Sequence, residues 1–291
     1  MSIPVAHAVE PHPALWPYVH AYVEQRLALP RGQALHVIQC AHTDPVACVT
    51  WGSGEVRIGM GEGFTIPPLA LAGPLPRSFT NTFRGTVQGF FVRFTPVGPL
   101  ALLGVAGRRY AASPRLEDLV EPDLAPAVRA WADGVIEARD VAARAALTDR
   151  LLLGRLPWVP ARIALMQRAV ARIEAASGRL RIDALARALG VGASTLRRRF
   201  RGELGIPAKL FSEIVRFRHT HAFLHTTPEA RWADAALRFG YADQSHLIRD
   251  YQRFAGVSPT QWSPELRHLD LNFGILEDAP PLGPATAAAG R

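Results

Sequence analysis

Two periodicities divide the chain. From Gln33 to Thr95 apolar residues fall in short runs rich in Val, Ile, Thr and aromatics, namely His36–Cys40, Val46–Trp51, Glu55–Met60 and Val87–Phe94. Gly and Pro clusters separate these runs, the pattern of several short strands in an antiparallel barrel or sandwich. Ahead of them, Leu15, Tyr18, Val19, Tyr22 and Val23 have helical spacing, which predicts a helix over Ala14–Leu29. After Pro99 the period lengthens, and Leu119–Arg139 and Val141–Leu156 read as amphipathic helices. The second of these has Ala145, Leu147, Leu151 and Leu152 to pack inside its own domain or against a second copy.

Two prolines in Leu156-Pro-Trp-Val-Pro160 interrupt any helix and mark a linker. The fold class expected is therefore α+β: an N-terminal antiparallel β-barrel or sandwich with helices over 1–156, a linker at 157–160, and an all-α domain over 161–267. The Ala-, Pro- and Gly-rich tail, 268–291, reads as disordered.

The helical domain repeats itself. Ile182, Leu185, Ala186 and Leu189 form one buried stripe, Gly190 stops that helix, and Leu196 and Phe200 line the inner face of the next. Trp232, Ala235, Ala236 and Phe239 repeat the stripe, Gly240 the stop, and Leu247 and Tyr251 the inner face. The offset is 50 residues at the Ala and Gly positions and 51 at the later ones, so the second turn is one residue longer. Two short helices joined by a Gly-containing turn make a helix-turn-helix unit, here in two copies.

Charge sharpens this picture. Residues 1–160 hold 14 basic and 13 acidic side chains, whereas 161–267 hold 18 and 9, so the surplus lies in the repeat. A local excess of that size attracts a polyanion. At about 100° per residue, Ser194, Arg198 and Arg201 point away from Leu196 and Phe200, with Arg197 flanking. In the second unit Ser245, Arg249 and Gln252 oppose Leu247, Tyr251 and Phe254, with His246 and Arg253 beside them. Both outward faces carry donors for phosphate oxygens and for major-groove base edges, and Arg198 and Arg249 occupy equivalent positions.

The stretch Ala236-Leu-Arg-Phe-Gly-Tyr-Ala-Asp-Gln-Ser-His-Leu-Ile-Arg-Asp-Tyr-Gln-Arg-Phe-Ala-Gly-Val-Ser-Pro259 resembles the signature of the AraC/XylS family of transcription regulators. Leu185 to Gly205 looks like that family's other helix-turn-helix, and Pro207–His225 like its connecting helix. The resemblance covers about 161–266 and implies a sequence-specific regulator whose two recognition helices enter successive major-groove segments of double-stranded DNA. It places base contacts on Ser194, Arg197 and Arg198, then on Gln244, Ser245, His246 and Arg249. It also departs from the family in Gly192-Ala193, where a capping hydroxyl is preferred, in an early Pro207, and in Ser263 where a basic residue often stands. The first half looks, more weakly, like a cupin-like sensory or dimerisation domain, which implies control by a small-molecule effector of unstated identity or through a homodimer.

Chemistry elsewhere is sparse. His36 and His42 lack the spacing of a metal-binding barrel, and Gly59-Met-Gly61-Glu-Gly63 is a strand turn, with no Lys-Ser/Thr to hold phosphate. No nucleophile pair or cofactor motif is present, so an enzyme is not expected and no cofactor is called for. Trp51, Phe64, Phe79, Phe83, Phe90 and Phe91 are either plain core or the lining of an apolar pocket. Cys40 and Cys48 give no disulfide framework. Met1–Pro13 shows no signal peptide, and Val97–Ala106 is too short to span a bilayer, so a cytoplasmic protein is expected. Two other readings stand beside the regulator: a barrel-type metalloenzyme fused to a DNA-targeting domain, and an interaction protein whose basic helices bind another macromolecule.

Overall fold

The computed structural model describes residues 5–59, 64–227 and 229–258. Its first part is built from nine strands: β1 (Val5–Val9), β2 (Val19–Ala28), β3 (Ala34–Gln39), β4 (Val46–Trp51), β5 (Glu55–Ile58), β6 (Phe64–Thr65), β7 (Leu69–Ala72), β8 (Phe79–Arg84) and β9 (Thr86–Phe94). They form a five-stranded sheet in the order β1-β2-β9-β4-β7 and a four-stranded sheet in the order β3-β8-β5-β6, with every pairing antiparallel. The glycine-rich turn read between β5 and β6 falls on residues 60–63, outside the described residues; the strands flanking it pair antiparallel.

The helix expected over Ala14–Leu29 is instead a single 3-10 turn at Pro13–Leu15 followed by β2. The reason is that β2 is covered on both faces. Tyr22 faces the helical layer, where it stacks near Phe90 at 5.9 Å, while Leu27 faces the second sheet and joins Leu35 and Val37. A register shift between Val19 and Ala21 further breaks the alternation. Burial at 19, 22, 23 and 27 thus imitates a helical stripe in an extended strand.

Four helices follow: α1 (Gly98–Leu102), α2 (Leu116–Leu119), α3 (Ala125–Glu137) and α4 (Val141–Leu153). The apolar run near Val97–Ala106 is buried around α1 and forms no membrane span. The single helix expected over Leu119–Arg139 is interrupted between α2 and α3, where Pro122 would break it. The α3–α4 hairpin packs on the outer face of the first sheet. The Trp131 indole donates to Thr148 Oγ1 at 3.0 Å, Arg144 pairs with Glu24 at 3.0 Å, and the Tyr22 hydroxyl donates to Asp149 at 2.7 Å.

The remaining helices are α5 (Ile163–Ala175), α6 (Ile182–Ala188), α7 (Ala193–Arg199), α8 (Ala208–Thr226), α9 (Trp232–Arg238) and α10 (Gln244–Ala255). The segment read as a linker holds one 3-10 turn, Leu156–Trp158. One apolar core runs from the sheet through α3 and α5 to Leu196, Phe200, Phe211 and Phe254, so the two halves are packed together. A smaller cluster of Ala235, Ala236, Phe239, Tyr241 and Leu247 seats the second unit. The tail from 268 onward lies outside the described residues.

Candidate nucleic-acid interface

Both helix-turn-helix units close in the same way. Gly190 and Gly240 adopt left-handed backbone, φ 69° and 71°, and the next amide reaches back five residues: Val191 N–H to Ala186 at 3.1 Å, Tyr241 N–H to Ala236 at 2.9 Å. This is the Schellman stop, which satisfies helix-end carbonyls and requires a residue free of a Cβ penalty. The first turn spans 189–192 and the second 239–243, so the extra residue read from the repeat offset is present.

The second helices differ at their starts. Asp243 caps α10, its carboxylate accepting from the His246 N–H at 2.7 Å, whereas α7 begins after Gly192 with no side-chain cap. The α7 helix continues as a wide turn, Phe200–Leu204, and stops at left-handed Gly205; α10 stops at left-handed Gly256. Inward faces are as expected: Leu196, Phe200, Leu247 and Phe254 are fully buried, and Tyr251 nearly so.

Of the residues expected to touch DNA, Ser194, Arg197, Arg198, Arg201, Gln244, Ser245, Arg249 and Arg253 are exposed. Among the described residues no carboxylate pairs with Arg198, Arg201 or Arg249, so these guanidiniums face solvent. Arg197 pairs with Asp183 at 2.5 Å and Arg253 with Glu213 at 3.3 Å, exposed contacts that a phosphate can displace at little cost. His246 is half-buried. Its ring lies edge-on to Tyr241 at 5.2 Å, with Nε2 3.9 Å from the Asp250 carboxylate.

Helix α8 carries the two units. At 1.5 Å per residue its 19 residues span about 28 Å, close to one turn of duplex. Arg216 of α8 donates to Asp250 of α10 at 2.9 Å and stacks on the Tyr241 ring at 4.1 Å. This pair was missed in the sequence although a signal existed: Asp250 falls at i+3 from Leu247 on the buried side of the wheel, where a carboxylate needs a cation.

A second ionic cluster joins the halves. The loop 40–44 is buried throughout, and Arg218 of α8 donates to Thr43 Oγ1 at 3.1 Å, with Asp44 at 4.0 Å and Glu174 at 3.4 Å. His20 lies 3.7 Å from Asp44, and His219 3.2 Å from Glu174. Burial alone would raise the Asp44 carboxyl, but Arg218, with His20, Arg93 and His42, holds it below the usual range. Burial pushes His42 down to about 4, against the pull of Asp44. His36 contacts Thr82 Oγ1 at 3.0 Å, and among the described residues no three His, Cys, Asp or Glu side chains gather as a metal site.

The six aromatics do not line one pocket: Phe90 is core, Phe64 is exposed, and Trp51 lies under the Arg144 guanidinium at 5.1 Å. Between the sheet and the α3–α4 hairpin lies a packing void of only about 10 Å³, lined by Ala47, Val92, Phe94, Val128, Trp131 and Leu152 among others.

A basic, doubled helix-turn-helix with outward arginines defines a DNA-binding domain, and the chain is a DNA-binding transcription regulator. The family model described as a helix-turn-helix domain matches residues 185–264. The helix-turn-helix domain matched over 185–264 is of AraC type. No curated protein matches the chain. Among solved structures, ToxT from Vibrio cholerae is similar at 10% identity and TM-score 0.45, covering 92% of this chain and 99% of its own. The AraC-like transcriptional activator CuxR is similar at 15% identity and TM-score 0.30, covering 76% and 87%. Likenesses this distant add nothing to the assignment, which rests on the matched residues and the repeat.

Proposed function

We propose that the protein reads a bipartite operator, with α7 and α10 in successive major-groove segments on one face of the duplex. The observation that carries this is the pair Arg198 and Arg249, equivalent in the repeat, both solvent-facing on helices whose other sides are locked into the core. Arg reads guanine through a bidentate contact; Ser194, Arg197, Gln244, Ser245 and His246 supply neighbouring base or phosphate contacts, and Arg201 and Arg253 hold phosphate. Hydroxyl-radical footprinting of the intact protein tests it. Two protected segments about one helical turn apart are expected; uniform, sequence-independent protection would refute it.

The N-terminal half, 1–156, we read as a sensory module and not a catalyst, because carboxylates withdrawn from solvent are engaged in packing: Asp149 with Tyr22, Glu24 with Arg144, Asp44 with Arg218. A small-molecule effector of this half would have to open its own site, because the space between sheet and hairpin is only about 10 Å³, room for a single water. Control through a second copy would use exposed apolar residues of this half such as Trp16 and Ile136, since the inner face of α4 is spent on its own sheet. A regulator of this kind works in the cytoplasm beside its operator, and no described helix is long and apolar enough to cross a membrane.

A further inference from the structure

The N-terminal half touches the two reading units at the same place in each. Gly205 and Gly256, the left-handed stops of the two recognition helices, are 51 residues apart and equivalent in the repeat. At the first, the backbone of Gly107 lies against Gly205: a methyl group on Gly107 would sit 1.9 Å from the Gly205 nitrogen and 2.3 Å from the Leu204 carbonyl carbon. At the second, a methyl group on Gly256 would sit 2.6 Å from Ser78 Oγ, and the Ala41 N–H donates to the Phe254 carbonyl at 2.8 Å. Two points on one rigid sheet-and-helix body thus hold the carboxyl ends of both recognition helices. Between them, Arg218 of the connecting helix is held by Thr43 and Asp44 of the loop that also supplies Ala41.

We propose that the N-terminal half is a two-point brace that sets the distance and angle between the recognition helices, and so fixes which operator spacing the protein accepts. The proposal rests on the bipartite reading above. Without those two attachments each unit is tied to the rest only through the connecting helix and the apolar packing around it, and can rock about its ends. A second attachment at each recognition helix removes that freedom. One inserted base pair then moves one element by about 3.4 Å and rotates it by about 35° relative to the other. A rigid pair of helices cannot follow that change. A hinged pair can, at the cost of some affinity on the best site.

Gly107 offers a clean way to open the brace. Its φ is not left-handed, so alanine there strains nothing locally, and the added methyl meets only the backbone of the other half. Asp44→Asn is the second variant; it removes the negative charge from Arg218 while keeping the shape. Neither residue is in the DNA-reading set. Binding is measured on the selected operator and on versions with its spacer lengthened or shortened by one base pair, at one salt concentration. The intact protein is expected to lose about tenfold or more on each altered spacer, as for a mismatched base pair. In Gly107→Ala and in Asp44→Asn that penalty is expected to shrink to about threefold or less, with base preference inside each element unchanged. General destabilisation would lower binding on all spacers alike and leave the ratio intact. If Gly107→Ala does not fold, Asp44→Asn decides. A bipartite footprint with the wild-type spacer penalty retained in the folded variants overturns the brace alone. Absence of any bipartite footprint in the unaltered protein overturns the operator reading on which it rests.

Discussion

Asp250→Ala is the sharpest perturbation of the second reading unit that replaces none of the residues expected to touch DNA. The carboxylate is buried, held by Arg216, whose own side chain is 15% exposed and whose Nε is buried without a hydrogen-bond partner. Removing Asp250 strands that guanidinium between Tyr241 and α10, and breaking a buried pair by deleting one partner costs about 3–5 kcal/mol. Deleting both charges removes the stranded ion, so Arg216→Met with Asp250→Ala should cost much less than the two single changes added together. Because the pair joins α8 to α10 only, the loss should be local. Hydrogen exchange of peptides from 244–255 reads it directly: protection there should fall by two orders of magnitude or more, about 3 kcal/mol in opening free energy, while β2 and β9 keep theirs. A loss under about 1 kcal/mol, or single and double variants that simply add, would refute the reasoning and rank the pair with solvent-screened surface contacts.

Asp243→Ala removes the only side-chain cap on the two recognition helices among the described residues and should cost about 0.5–2 kcal/mol in thermal or urea unfolding. Leu196→Ala, at a fully buried position, should cost about 2–5 kcal/mol; a smaller change would mean the first unit collapses around the cavity. His42 is held neutral by burial, at about 4 in the fold against 6.5 when exposed, so the unfolded chain takes up its proton first. Stability is therefore full above about pH 6.5 and declines by about 3 kcal/mol as pH falls toward 4. Asp44, held below its usual range, adds loss in the same direction. Urea unfolding at pH 7 and 4.5 checks this, and a curve flat between them would contradict it.

What was legible in the sequence followed from local rules. The two left-handed glycines, the longer second turn and the inward Leu and aromatic positions depend on residues within one turn of each other, so spacing alone locates them. Strand β2 was not legible, because burial on both faces erases the period of two and the register shift near Val19 completes the disguise. The contacts of loop 40–44 were invisible for another reason. Thr43 meets Arg218 across 175 residues, and nothing near either one marks the pairing. Asp250 lies between these cases: its wheel position demanded a cation, though not which one.

The central claim is that Arg198 and Arg249 read bases in two separate elements. Parallel selection of bound sequences by the unaltered protein, Arg198→Ala and Arg249→Ala tests it most directly. Each variant is expected to lose about 1–3 kcal/mol on the selected site and to relax preference at about one base pair, in different elements about one helical turn apart. Sequence profiles identical to that of the unaltered protein in both variants would contradict the account.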